Sequence, residues 1–65
     1  MFKLGDIVVN GMWFGDSMIL ITSIETWGYR AMFINGMFDG VDMKITHAYW
    51  YDKIGNIFDK KEKGE

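Results

Sequence analysis

Met18-Ile19-Leu20-Ile21-Thr22-Ser23-Ile24 places apolar and β-branched side chains on both phases of an extended chain. A run of this kind is typical of a strand that is buried on both faces, as the central strand of a sheet is. The segment is therefore predicted to be the central strand of a β-fold.

Four further segments around this run also carry strand patterns. They are Ile7 to Val9 after the turn pair Gly5-Asp6, Tyr29 to Ile34, Val41 to Thr46, and Ile54 to Phe58. From Val41 to Thr46 apolar and polar residues alternate, which predicts that the apolar ones face inward. In the last segment, Gly55-Asn56 indicates a bulge or bend. The expected core is the inward phase of the first four strands: Ile7, Val9, Leu20, Ala31, Phe33, Val41, Met43 and Ile45.

Glycine pairs separate the strand segments at short intervals. They are Asn10-Gly11, Gly15-Asp16, Trp27-Gly28, Asn35-Gly36 and Asp39-Gly40. Asn-Gly and Asp-Gly are strong hairpin signals, since tight hairpin turns need positive φ. Five short strands with regular turns favour a small barrel, because closure removes exposed strand edges. No segment predicts a convincing helix, and residues 48–53 fit a single 3₁₀ turn before the last strand.

The sequence therefore predicts an all-β domain over residues 1–58, a five-stranded antiparallel barrel, followed by a charged, solvated tail over residues 59–65. A single domain of 65 residues has little stability to spare. The chain has no cysteine, so disulfides cannot make up the difference. His47 is the only histidine, which leaves zinc without its usual ligands. A dense core or self-association remains, and we expect no metal and no cofactor.

Charge argues against nucleic acid as the partner. The net charge is −2, whereas a phosphate-binding domain gathers lysine and arginine on one face. Lys60, Lys61 and Lys63 of the tail are offset by interleaved acids. The N-terminal segment has no apolar stretch typical of a signal peptide, and the uncharged run from Ser17 to Ile24 is too short to span a bilayer. We expect a cytoplasmic protein without membrane contact.

The order of these segments resembles a known architecture. Phe2-Lys3-Leu4-Gly5-Asp6-Ile7-Val8 is followed by a loop, the long apolar strand, Tyr29-Arg30-Ala31-Met32-Phe33, and the closing segment Ile54-Gly55-Asn56-Ile57. This pattern is similar to the small SH3-like barrels of bacteria and bacteriophages, the KOW-like ones included. Those barrels commonly open with Gly-Asp-hydrophobic-Val and carry Tyr-x-x-x-Phe in the third strand. The resemblance implies an SH3-like barrel and a bacterial or phage origin.

Peptide-binding SH3 domains of eukaryotes match less well. Their Ala-Leu-Tyr-Asp-Tyr motif lies near the N-terminus, whereas the similar run from Ala48 to Asp52 lies near the C-terminus of this chain. No SH3 binding residue is carried over to this chain on that basis.

The sequence offers no catalytic constellation. Nucleophilic catalysis needs a nucleophile, a base and an orienting group, and His47 has no such neighbours in sequence. Its phase in the fourth strand predicts a structural histidine pointing inward at the barrel rim. Asp39 and Asp42 lack the spacing of a calcium loop, and Asp39 fits the first position of a turn. We expect a protein that is not an enzyme.

Large aromatic residues in loops are the most informative feature for function. We predict that six of them include the partner-binding residues: Trp13, Phe14, Trp27, Tyr49, Trp50 and Tyr51. Loops run over the surface, and aromatic residues and methionine are enriched at protein interfaces. The sequence leaves open whether these rings plug the barrel or form an interface.

Two functions follow from this pattern. The first is a protein-interaction module that binds itself or another protein through exposed aromatics. The alternative is a nucleic-acid-binding barrel of the KOW-like or OB-like kind, which stacks bases on aromatic rings along a basic groove.

Overall fold

A computed structural model describes residues 1–59 of the chain and shows an all-β, barrel-like fold. Its elements are β1 (Asp6–Val9), α1 (Gly11–Phe14), β2 (Ile19–Glu25), β3 (Gly28–Phe33), β4 (Asp42–Ile45), a 3₁₀ turn (Ala48–Trp50) and β5 (Asp52–Asn56). The five strands form one antiparallel sheet in the order β4-β3-β2-β1-β5. This confirms the predicted fold class, the 3₁₀ turn before the last strand included. Of the predicted tail, residues 60–65 lie outside the described part of the chain.

Strand β2 is the central strand, as its sequence predicts. It pairs with β1 on one side and with β3 on the other. Its burial nevertheless alternates: Ile19 and Ile21 are fully buried, whereas Leu20 is half-buried. The predicted inward position of Leu20 is therefore wrong, because the sheet has one enclosed face and the apolar residues of the other phase lie on its outer face. A register shift lies between Ile21 and Ser23, and beyond it the more buried positions of the strand are the polar residues Ser23 and Glu25.

In strand β1 the buried residues are also the opposite of those predicted. Val8 is fully buried, whereas Ile7 and Val9 are half-buried. The reason is that two polar residues, Asp6 and Asn10, are buried and share the phase of Val8. A rule that places polar residues outside therefore turns Val8 outward and Ile7 and Val9 inward.

In the remaining strands the prediction holds at most positions. Ala31, Phe33 and Ile45 are buried, and Met43 packs half-buried against them. Val41 is the exception, since it is exposed and precedes β4. The core of the described chain consists of these buried residues: Val8, Ile19, Ile21, Tyr29, Ala31, Phe33, Ile45 and Tyr51.

A buried carboxylate joins β1 to β5. Asp6 is fully buried; its Oδ2 accepts a hydrogen bond from the backbone N–H of Lys3 at 2.7 Å. Its Oδ1 accepts from Asn56 Nδ2 at 2.6 Å and lies 3.2 Å from Lys53 Nζ. Burial of the Asp6 carboxyl favours its neutral form, but the hydrogen bonds from Asn56 and Lys3, together with Lys53, outweigh burial and hold the pKa of Asp6 below its ordinary value.

The same carboxylate shapes the turn before β1. The Asp6 N–H donates to the Lys3 carbonyl at 3.0 Å, which closes a four-residue turn. Gly5 takes φ +85° in this turn, a conformation that glycine adopts without strain. The Gly5-Asp6 pair therefore supplies both the turn and the polar link between the first and last strands.

Between β1 and β2 the chain forms a helical turn that the sequence does not predict. Asn10 is buried and caps α1, with its Oδ1 accepting from the backbone N–H groups of Met12 and Trp13 at 3.1 and 3.2 Å. Asn10-Gly11 is thus a helix start and not a hairpin turn. Asparagine favours both settings, so the dipeptide alone does not distinguish them.

Residues 46–51 connect β4 and β5, the two edge strands of the sheet. Ile45, at the end of β4, pairs with Tyr29, whereas Asp52, at the start of β5, pairs with Val9. These two pairs lie toward opposite ends of the sheet, so the segment between them crosses from one end to the other. This crossing brings the 3₁₀ turn beside the loop that carries α1.

Candidate functional site

Seven rings form a continuous row that starts at the end of the sheet where β2 begins and continues onto residues 47–50. In order of contact they are Phe38, Phe33, Phe14, Trp13, Trp50, His47 and Tyr49, and we call this row the aromatic strip. Neighbouring ring centroids along it are 4.2 to 6.4 Å apart. Most pairs meet edge to face, the arrangement that the aromatic quadrupole favours.

Helical turn α1 sends its two aromatic residues in different directions. Phe14 packs half-buried against the core, 5.1 Å from Phe33 in an edge-to-face contact. Trp13 keeps 53% of its surface exposed. Successive residues of a helix point about 100° apart, so a single capped turn is enough to separate an inward ring from an outward one.

The 3₁₀ turn divides its aromatic residues in the same way. Trp50 reaches Trp13 at 4.7 Å, while Tyr49 stays 79% exposed. Tyr51 turns inward and belongs to the core. Burial raises the pKa of the Tyr51 hydroxyl above its ordinary value. Of three consecutive predicted site residues, two therefore lie at the surface.

His47 belongs to the strip, which its sequence position does not predict. It is exposed, and its ring stacks on Trp50 with centroids 4.2 Å apart and planes 14° from parallel. Its Nδ1 lies 3.0 Å from the Thr46 hydroxyl. The prediction that His47 points inward is wrong, because β4 ends at Ile45 and the strand alternation stops there.

Trp13 and Trp50 border an open groove of about 420 Å³, which Asn10 and Met12 complete. Met12 is 88% exposed at its margin. Asn10 holds this wall in place by capping α1. We call this cavity the indole groove; it offers two aromatic walls and a flexible thioether to a ligand or a partner side chain.

The loop between β3 and β4 extends the strip. Phe38 lies 5.2 Å from Phe33 and 6.2 Å from Phe14, and Met37 beside it is exposed. Phe14 therefore links two similar runs of sequence, since its ring contacts both Trp13 and Phe38. The runs are Asn10-Gly11-Met12-Trp13 and Asn35-Gly36-Met37-Phe38. Together they present an exposed methionine and a partly exposed ring from each of two loops.

The outer side of the strip is mostly apolar. Trp13, Trp50 and Tyr49 are 53%, 43% and 79% exposed, and Met12 and Met37 beside them are 88% and 90% exposed. A cluster of exposed apolar side chains is typical of an interaction site. The three segments that carry it, residues 10–18, 34–41 and 46–51, contain Asp16 and Asp39 but no lysine or arginine. The surface is therefore apolar with a slight negative charge.

Trp27 lies apart from the strip, in the turn between β2 and β3. Arg30 Cζ is 5.9 Å and Lys44 Nζ 5.6 Å from the centre of its ring, within the range of a cation–π contact. Arg30 also lies 3.5 Å from a Glu25 carboxylate oxygen. Trp27 forms one wall of a second groove, of about 310 Å³, with Ile24, Tyr29 and Ile45 among its other walls. We call Trp27, Arg30, Lys44 and this groove the Trp27 patch.

Comparison with known proteins found no match: no family model, no curated protein and no solved structure is significantly similar to this chain. Over residues 1–59, no helix is both long enough and apolar enough to cross a membrane. Within the same residues, no three His, Cys, Asp or Glu side chains come together as metal ligands would.

Proposed function

We propose that this chain is a non-enzymatic protein-interaction module that binds a protein partner through the aromatic strip. The supporting observation is the row of rings, whose outer members Trp13, Trp50 and Tyr49 stay in contact with one another or with His47 and yet remain exposed. Tryptophan and tyrosine are the side chains that most often dominate binding energy. A pre-formed cluster also loses little side-chain entropy on binding.

The composition of the surface supports a protein partner, because aromatic and methionine side chains are enriched at protein interfaces. The resemblance to small SH3-like barrels is compatible with a cytoplasmic accessory protein of a bacterium or a bacteriophage, and we propose that setting.

A nucleic-acid-binding barrel is the alternative function, and the Trp27 patch is the observation in its favour. Arg30 and Lys44 there flank an exposed indole, and bases stack on such rings. Two cations are few, however, since nucleic-acid affinity grows with the number of phosphates neutralised. The strip itself would place Asp16 and Asp39 against phosphate, which opposes binding.

The proposal is tested by removing rings from the strip and following every association of the chain. Trp13→Ala and Trp50→Ala should each weaken binding by about tenfold or more, whether the partner is a second copy or a protein captured from a bacterial lysate. Phe58→Ala is the control, because it removes a ring outside the strip that is even more exposed (65%) than Trp13 or Trp50. Thermal unfolding shows which variants remain folded. Associations that respond to Phe58 but not to Trp13 or Trp50 would contradict the proposal.

A further inference from the structure

We infer that this chain binds a second copy of itself head to tail, with the indole groove of one copy against the Trp27 patch of the next. This inference rests on the proposed function and adds to it the identity of the partner. It also assigns a role to the Trp27 patch, which the aromatic strip leaves unexplained.

The two surfaces lie at opposite ends of the same strands. Ile19 pairs with Phe33 at the end that carries the indole groove, and Glu25 pairs with Gly28 at the end that carries Trp27. A seven-residue strand such as β2 spans about 20 Å. One copy can therefore contact two neighbours at once, with a different surface toward each.

Charge favours unlike surfaces over like ones. The segments of the aromatic strip contain Asp16 and Asp39 and no cation, so two strips facing each other would bring carboxylates together. The Trp27 patch instead carries Arg30 and Lys44; Glu25 pairs with Arg30, so the three side chains together keep one net positive charge. Opposite potentials across an interface raise the association rate and disfavour the wrong pairing. A cation of the patch can also meet the exposed indole of Trp13.

Shape agrees with charge. Met12 protrudes at the edge of the indole groove with 88% of its surface exposed. The groove of the Trp27 patch holds about 310 Å³, and its walls include the apolar side chains of Ile24, Trp27 and Ile45 beside the polar ones of Glu25 and Thr26. A methionine side chain fits such a space and adapts to its outline. The protruding side chain and the receiving groove lie on different surfaces of one chain, as a head-to-tail contact requires.

Contacts between unlike surfaces have a distinctive consequence. A symmetric dimer uses the same patch twice and stops at two copies, whereas a head-to-tail contact continues until it closes into a ring or forms an open chain. We therefore expect the average mass to rise past that of a dimer with increasing concentration. High salt should lower it again, because the charges of both surfaces are exposed.

The experiment mixes two variants that each lack one surface. Trp13→Ala impairs the indole groove, and the double variant Arg30→Glu, Lys44→Glu impairs the Trp27 patch. Light scattering coupled to size exclusion should show that each variant alone associates about tenfold or more weakly than the wild type. Mixed in equal amounts, they should form a one-to-one dimer, since one intact groove and one intact patch remain.

The other outcomes identify which statement fails. If the double variant still dimerises alone, the strips pair with each other, and the head-to-tail inference is wrong while the proposed function stands. If the wild type is monomeric at every concentration but loses a captured protein on Trp13→Ala, the partner is a different chain and the inference is again wrong. If neither self-association nor capture depends on Trp13 or Trp50, both statements are wrong. Circular dichroism of each variant excludes unfolding as the cause.

Discussion

Replacing Asp6 by asparagine removes a negative charge from the interior and keeps nearly the same side-chain shape. The wild-type carboxylate accepts hydrogen bonds from Lys3 and Asn56 and pairs with Lys53. An asparagine has one acceptor oxygen for these three donors, and its own NH₂ group faces them. The variant therefore weakens the part-buried hydrogen bonds from Lys3 and Asn56 and leaves the Lys53 ammonium without its counter-ion.

The expected cost is a large part of the stability of the domain. Removing one member of a buried charge pair costs about 3–5 kcal/mol. Lys53 keeps 39% of its side chain exposed and can return to water, so the lower end, about 3 kcal/mol, applies. A core of this size supplies rarely more than about 3–5 kcal/mol in total. Urea unfolding followed by far-ultraviolet circular dichroism measures the difference, and Asp52→Asn, an exposed carboxylate on β5, is the control.

The pH dependence gives a second measurement of the same interaction. The pKa of Asp6 is lower in the folded chain than its ordinary value of 3.8. Its contribution to stability is therefore full above that value and is lost as the pH falls through the lower pKa of the folded state. The wild type should lose stability in this window, and Asp6→Asn should lose less. An Asp6→Asn variant within about 0.5 kcal/mol of the wild type, as expected for a neutral surface change, would refute this reasoning.

Four further predictions concern the strip, the core, one turn and the alternative function. Phe14→Ala should lower the free energy of unfolding by about 2–3 kcal/mol, and Trp13→Ala by only about 1 kcal/mol, as measured by urea unfolding. Trp13→Ala should weaken association more than Phe14→Ala does, as measured by light scattering. A larger loss of stability for Trp13→Ala, or a larger loss of association for Phe14→Ala, would contradict this prediction. Burial raises the pKa of the Tyr51 hydroxyl above its ordinary value. In an alkaline absorbance titration, Tyr51→Phe should therefore reduce the absorbance change that occurs above about pH 10; an unchanged titration curve would contradict this prediction. Gly28→Ala should cost about 1–3 kcal/mol, since φ is +148° and a Cβ would meet a carbonyl oxygen of β4, whereas Gly11→Ala, with nothing near its Cβ, is the control in thermal unfolding. Labelled oligonucleotides should bind weakly or not at all at physiological salt; micromolar affinity with a steep salt slope would instead favour the nucleic-acid-binding barrel.

The fold class follows from the sequence because strand patterns and turn residues agree along the chain. The apolar run around Ile21 marks the central strand, and alternation before Ile45 marks β4. Phase is harder to predict where polar residues are buried. Asp6 and Asn10 lie inside because each has specific hydrogen-bond partners, and those partners come from positions that strand periodicity does not reveal. Strand periodicity therefore places Val8 on the wrong face.

The site is predicted less completely than the fold. Sequence identifies Trp13 and Trp50 as loop aromatics but does not show that they touch, because their contact depends on the path of residues 46–51 across the sheet. It places Trp27 in the same group, although that ring lies at the other end of β2. Strand alternation continued past Ile45 turns His47 inward and so misses it. Its position close to Tyr49 and Trp50 in sequence is the signal that places it in the cluster.

Closure of the barrel and exposure of the strip have separate causes in this structure. Phe14 and Phe38 already cover Phe33 at this end of the core, so no further ring is needed to exclude water there. Trp13 and Tyr49 add little to that cover, since more than half of each remains exposed. Their apolar area becomes favourable only when a second surface removes it from water. If the proposed function holds, the rings that cover the core and the rings that bind a partner are different residues, although Phe14 and Trp13 are adjacent in the chain.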